Sequence, residues 1–170
     1  MKKLNNICLV TALLALGITS TAFAEEKKQE IGVNGFYQNQ VSPSGGSDTL
    51  FVQGRYGRYF KPQLLGTVNV LGITSGSVSQ TIGAGVGAKY YFKVGQKGDF
   101  VPFVDADVMV LTVKAGSVTS TPVQLSAGGG ASYFLSETAS FDGRAAVQFQ
   151  TASGTNTTML NLTVGLTQRF

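Results

Sequence analysis

The sequence contains no histidine and a single cysteine, and charged residues fill only 13% of its 170 positions. Without histidine there is no Ser-His-Asp hydrolysis, and metal sites built on histidine and cysteine are excluded as well. The lone cysteine, Cys8, lies in an apolar segment near the amino terminus, so the chain beyond it has no disulfide and no thiolate chemistry. Soluble domains carry about 25% charged residues, yet the apolar content here is ordinary at 43%. A soluble protein so poor in charge has little to keep it dispersed. Part of the surface is therefore expected to face something other than water.

Long apolar runs are missing too. Ile7 to Ile18 is apolar but falls short of the roughly 20 residues that span a bilayer as a helix. Lys2 and Lys3 precede it, and Ala22-Phe23-Ala24 follows as an A-x-A cleavage site ahead of Glu25. Residues 1–24 thus read as a secretory signal peptide. Cys8 sits too early for a lipoprotein cysteine, so no lipid anchor is expected. Residues 25–170 read as one domain. Without Lys2 and Lys3 that domain has 11 basic and 9 acidic residues, a net charge of +2. Neither the balance nor any basic cluster in the sequence points to nucleic acid.

After residue 24 no helical periodicity is evident. Runs of about ten residues alternate apolar and polar between turn residues, the period-two signature of strands. Eight are predicted: Glu30–Gln40, Thr49–Phe60, Gln63–Ile73, Gln80–Phe92, Phe100–Lys114, Pro122–Phe134, Thr138–Thr151 and Thr157–Phe170. The breaks are short, so neighbours should pair antiparallel as a meander. In the last strand Leu160, Leu162, Val164, Leu166 and Phe170 oppose Asn161, Thr163, Gly165, Thr167 and Arg169. In the seventh, Phe141, Ala145, Val147 and Phe149 oppose Asp142, Arg144, Gln148 and Gln150. The fifth is less regular, because Met109, Leu111 and Val113 interrupt the face of Asp105 and Asp107; a bulge or an apolar upper lumen would account for it. The third has Leu71 and Ile73 on its polar side.

Eight alternating strands fit a soluble barrel or, turned inside out, a membrane barrel. The polar faces are mostly Gly, Ser, Thr, Gln and Asn, which suit a crowded lumen rather than a wet exterior rich in Lys and Glu. Strands of about ten residues match tilted membrane-spanning strands. Tyr56, Phe60, Tyr90, Phe92, Phe100, Tyr133, Phe141 and Phe170 fall near strand ends that meet at one rim, as an interfacial girdle does. The expected fold is all-β, an eight-stranded antiparallel up-and-down transmembrane β-barrel. Export places both ends of the domain in the periplasm, with the loops near positions 44, 76, 117 and 154 outside the cell.

Read to its last strand, the chain resembles the small eight-stranded bacterial outer-membrane barrels, the family around outer membrane proteins A and X and the opacity-type proteins. The most specific feature is a terminal pattern, polar-x-Gly-x-x-aromatic-x-aromatic, which Thr163, Gly165 and Phe170 match and from which Gln168 departs. Gly85-Val86-Gly87-Ala88-Lys89-Tyr90-Tyr91-Phe92 and Ala131-Ser132-Tyr133-Phe134-Leu135 also look like that family's strand ends. The resemblance implies a bacterial outer-membrane location, contact with outer-membrane lipid, and recognition of Thr163, Gly165 and Phe170 by the barrel-assembly machinery. Barrels of this architecture that act as acyl transferases, deacylases or proteases rely on histidine, so no enzyme is expected here.

No cofactor is implied. Asp105 and Asp107 share a face and offer a carboxylate pair, but no helix follows the Gly83-x-Gly85-x-Gly87 run, which therefore does not read as a nucleotide loop. The inward mid-strand charges are Arg55, Lys89, Asp105, Asp107, Asp142 and Arg144. Buried charges need partners, so a network is expected across the lumen, with Asp142 and Arg144 near Asp105 and Asp107. Its first reading is structural, closing the barrel of a structural or surface-interaction protein. The alternatives are a small channel or carrier for ions or small solutes, and a soluble periplasmic barrel binding a hydrophobic ligand.

Overall fold

The computed structural model describes residues 28–38, 49–75, 79–152 and 155–170. The predicted signal peptide and the loops near positions 44, 76 and 154 lie outside the described residues. The strands are β1 (Gln29–Gln38), β2 (Thr49–Lys61), β3 (Leu64–Ser75), β4 (Ser79–Tyr91), β5 (Phe100–Ala115), a three-residue β6 (Val118–Ser120), β7 (Val123–Phe134), β8 (Ala139–Ala152) and β9 (Thr155–Arg169). The eight long ones are those expected from the alternation. The extra strand, β6, folds back on the end of β5 over a turn at Gly116, whose φ of 61° suits glycine.

Each long strand pairs antiparallel with the next, and two ladders complete the ring. One joins β4 to β5 from Ser79↔Ala115 to Tyr91↔Phe103. The other joins β1 to β9 from Glu30↔Arg169 to Gly35↔Val164. These ladders close the ring, so that strand edges pair with one another as they must where there is no water to satisfy the backbone. β1 and β9 start and end together, with Gln29 N–H donating to Phe170 O (3.0 Å) and Phe170 N–H to Gln29 O (3.1 Å). We call that end the terminal rim and the opposite end the distal rim.

The faces are inverted relative to a soluble barrel. Leu160 is 72% exposed, Ile82 68% and Leu162 67%, whereas Lys89 is 1% exposed and Glu30 is fully buried. The ten residue steps from Leu160 on β9 to Phe170 just after it rise about 34 Å along the strand. At the usual tilt that is roughly 25 Å of height, the apolar band of an outer-membrane barrel. The girdle aromatics Tyr56, Phe60, Tyr90, Phe92, Phe100, Tyr133, Phe141 and Phe170 are all exposed, and register sets Phe100 beside Tyr133 and Tyr133 beside Phe141.

The irregular fifth strand is explained by an apolar lumen, not a bulge. Its ladders to β4 and β7 run without a register break. Met109 and Leu111 instead turn inward onto Phe51 and Leu71, with Phe36, Ile73 and Val113 packed around them. At the terminal end a second inward cluster joins Tyr91, Val101, Phe103 and Phe134, with Tyr59 against it. Between these two apolar layers lie the lumen charges.

Because the greasy face meets hydrocarbon, Leu162→Arg should lower unfolding free energy in lipid vesicles by about 2–4 kcal/mol. Denaturant titration of the reconstituted protein reads this directly. An unchanged midpoint would mean that Leu162 already faces water.

Candidate functional site in the barrel lumen

Period-two geometry turns every other residue of each strand inward, and eight strands leave an interior that side chains just fill. Charges facing such a space meet each other. Two groups form.

The first gathers around Glu30 and Asp142. Arg55 Nη2 donates to Glu30 Oε1 (3.2 Å) and to Asp142 Oδ2 (3.4 Å). Lys89 Nζ donates to Asp142 Oδ2 at 2.9 Å and stands 4.0 Å from Glu30 Oε1. Glu30 also accepts from the Tyr59 hydroxyl (2.6 Å), the Tyr91 hydroxyl (2.9 Å to Oε2) and Arg169 Nε (3.4 Å). Asp142 accepts from Ser140 Oγ and Thr167 Oγ1, each at 3.0 Å. The cations rest on the aromatic layer as well: Lys89 Nζ is 3.8 Å from the centre of the Phe103 ring, and the Arg169 guanidinium is 4.3 Å from that of Phe134. Gly32 makes room for this group, since a Cβ there would stand 3.2 Å from Arg55 Nη2.

The second group is a fork. Arg144 Nε donates to Asp105 Oδ2 (2.7 Å), and its Nη2 donates to Asp107 Oδ2 (3.2 Å) and Ser126 Oγ (2.9 Å). Across both groups four cations, Arg55, Lys89, Arg144 and Arg169, face four carboxylates, Glu30, Asp105, Asp107 and Asp142. Among the described residues the lumen is neutral in formal charge. Each ion is paired, as burial in a low dielectric demands.

The six charges expected from sequence all point inward, but not in the expected grouping. Arg144 reaches Asp105 and Asp107. Asp142 does not: it pairs with Lys89 and Arg55 instead. Arg144 and Asp142 share a face two residues apart, and the stagger of the barrel puts Asp142 nearer the terminal rim, at the level of Lys89 and Arg55. Sequence reading also missed Glu30 and Arg169. Both carry the inward parity of their strands, Glu30 with Gly32 and Asn34, and Arg169 with Gly165 and Thr167. They lie at strand ends, where wetting is the ordinary assumption, and the layer of Tyr91 and Phe134 buries them.

Between the groups is a void of about 10 Å³, lined by Arg55, Asn69, Lys89, Asp105, Asp107 and Arg144 among others. That is room for about one water. Arg55 Nε, Asn69 Oδ1, Asp105 Oδ1 and Asp107 Oδ1 have no protein partner, so donors and acceptors both face it. Three cationic side chains on its wall disfavour a metal ion. Of the terminal-pattern residues, Thr163 and Gly165 sit on β9 and Phe170 follows its last residue: Thr163 is buried, Phe170 is exposed, and a side chain at Gly165 would collide with Asn34.

No family model matches the chain, and no curated protein matches it. Solved structures do. The chain is similar to the N-terminal β-barrel domain of Pseudomonas aeruginosa OprF, with a TM-score of 0.61 at 17% identity over 85% of this chain and 98% of that one. It is similar to Neisserial surface protein A (NspA), with a TM-score of 0.62 at 17% identity over 84% and 95% of the two chains. It is also similar to the Yersinia pestis outer membrane protein Ail, with a TM-score of 0.51 at 14% identity over 85% and 100%. The shared feature is the eight-stranded outer-membrane barrel fold.

Arg144→Leu should strand Asp105 and Asp107 and lower stability by about 3–5 kcal/mol, read as an earlier heat-modifiable shift on gels. Adding Asp105→Asn and Asp107→Asn should recover most of the loss. Unchanged melting of the single variant would remove the fork from the forces that hold the barrel.

Proposed function

We propose that the chain is a closed structural barrel of the bacterial outer membrane, exported by a cleaved signal peptide at residues 1–24 and exposing its distal loops at the cell surface. The ionic groups act as a plug that fixes strand register and fills the lumen. The observation that carries this reading is the sealed interior: an apolar layer of Phe51, Leu71, Met109 and Leu111 on one side, an aromatic layer on the other, and a void of about 10 Å³ between the charges. A path for hydrated ions or solutes needs more room at every level. The channel reading is correspondingly weak, and no residue pattern favours an enzyme.

Assembly through the barrel-assembly machinery rests on Thr163, Gly165 and Phe170 at the end of β9. Phe170 carries the weight, because Gln168 stands where a second aromatic is usual. Phe170→Ala should reduce the fraction of heat-modifiable, membrane-inserted protein in cells several-fold; full assembly of this variant would show that the terminal pattern is not used.

Purified protein in planar bilayers should give no unitary conductance. Reproducible single-channel steps, abolished by filling the distal layer with Leu111→Phe, would replace the structural reading with a channel.

A further inference from the structure

The sequence has no basic cluster, but the fold makes one. Lys28 before β1, Arg58 and Lys61 at the end of β2, and Lys93 and Lys97 in the turn between β4 and β5 all lie at the terminal rim. Two carboxylates, Asp99 and Glu137, share that rim. Asp99 is held below the usual carboxylate range by the Gln96 backbone N–H and by Lys93, and it pairs with Lys93 at 3.1 Å. Lys28, Arg58, Lys61 and Lys97 have no ion-pair partner among the described residues. Towards the distal rim, Lys114 is the one charged side chain among the described residues.

Arg58 is the member most in need of explanation. It points outward from β2, exposed, on the face that meets hydrocarbon. Its ladder partners are Gln29 on β1 and Gly66 on β3, neither charged. Two residues to either side stand Tyr56 and Phe60, exposed by 45% and 73%, and the Phe60 ring lies over Gly66. An unpaired guanidinium on a lipid-facing strand is costly near mid-bilayer and tolerated at the interface, where an anionic group can meet it. Lys61 follows three residues on. Lys28, Lys61, Lys97 and Arg169 line a bowl of about 760 Å³ that opens at the same rim.

We propose that the terminal rim binds the phosphate of anionic phospholipids, with Arg58 and Lys61 gripping one headgroup while Tyr56 and Phe60 hold its acyl chains. The inference rests on the outer-membrane reading and adds to it a preferred lipid class. Guanidinium matches phosphate as a planar fork, and a surface with unpaired cations outnumbering carboxylates attracts an anionic leaflet within a Debye length. The rings supply what free phosphate cannot use, an apolar wall at the depth of the first methylenes.

The test reconstitutes the full barrel in nanodiscs of phosphatidylglycerol mixed equally with phosphatidylcholine and counts co-purifying lipid by native mass spectrometry. The expected result is at least threefold enrichment of phosphatidylglycerol, falling to parity in the double variant Arg58→Gln, Lys61→Gln. Both side chains are exposed, so the variant should keep its heat-modifiable shift, which shows that the barrel still inserts. Parity in the unchanged protein, or enrichment that survives the double substitution, would overturn the proposal while leaving the membrane reading intact. So would displacement of the lipid by millimolar inorganic phosphate, which would mark a site for the free anion.

Discussion

A strand presents unpaired N–H and C=O groups along both of its edges, and hydrocarbon offers them nothing. Every other property of this molecule follows from meeting that constraint by closure. Pairing β1 with β9 and β4 with β5 closes the ring, and a ring of eight long strands encloses little space. The inward face must then be small or mutually satisfied, and the outward face must be apolar. Charges that a soluble protein would leave to water are forced together, and four cations and four carboxylates settle into two groups rather than a continuous aqueous line. Two apolar layers, at Met109 and Leu111 and at Tyr91 and Phe134, keep water from both sides. Separating any one of these ions from its partner leaves a charge in a medium that cannot solvate it.

The barrel was legible because alternation is a local property. Leu162 and Thr163 differ in polarity, and neighbours on a strand face opposite ways whatever the tertiary structure. Composition chose which face lies outside. What the sequence could not display was height along the barrel axis. Asp142 and Arg144 look equivalent on paper, yet stagger sends one to Lys89 and Arg55 and the other to Asp105 and Asp107. Glu30 and Arg169 sit at strand ends, and their burial depends on Tyr91 and Phe134, which arrive from distant parts of the chain. Met109, Leu111, Leu71 and Ile73 looked like faults in two separate patterns; together in space they are one apolar layer. Strand β6, three residues long, is too brief to carry a periodic signal.

The same separation of levels explains why the fold is shared at 14–17% identity with solved outer-membrane barrels. A period-two pattern constrains polarity, not identity, so many sequences satisfy it. The individual character of this chain lies in what the pattern leaves free: the pairing of its lumen charges, the histidine-free interior, and a terminal rim that gathers basic residues from three parts of the chain.

The central claim is the inversion itself, and adjacent residues of β9 test it most directly. The predicted domain has no cysteine of its own, so single cysteines at Leu162 and Thr163 can each carry a fluorophore in otherwise unlabelled protein. In vesicles with brominated acyl chains, the label at position 162 should be strongly quenched by lipid, and the label at 163, if it can be attached to folded protein at all, should not. Quenching at 163 with protection at 162 would mean that the apolar face is the interior, and the account would be contradicted at its foundation.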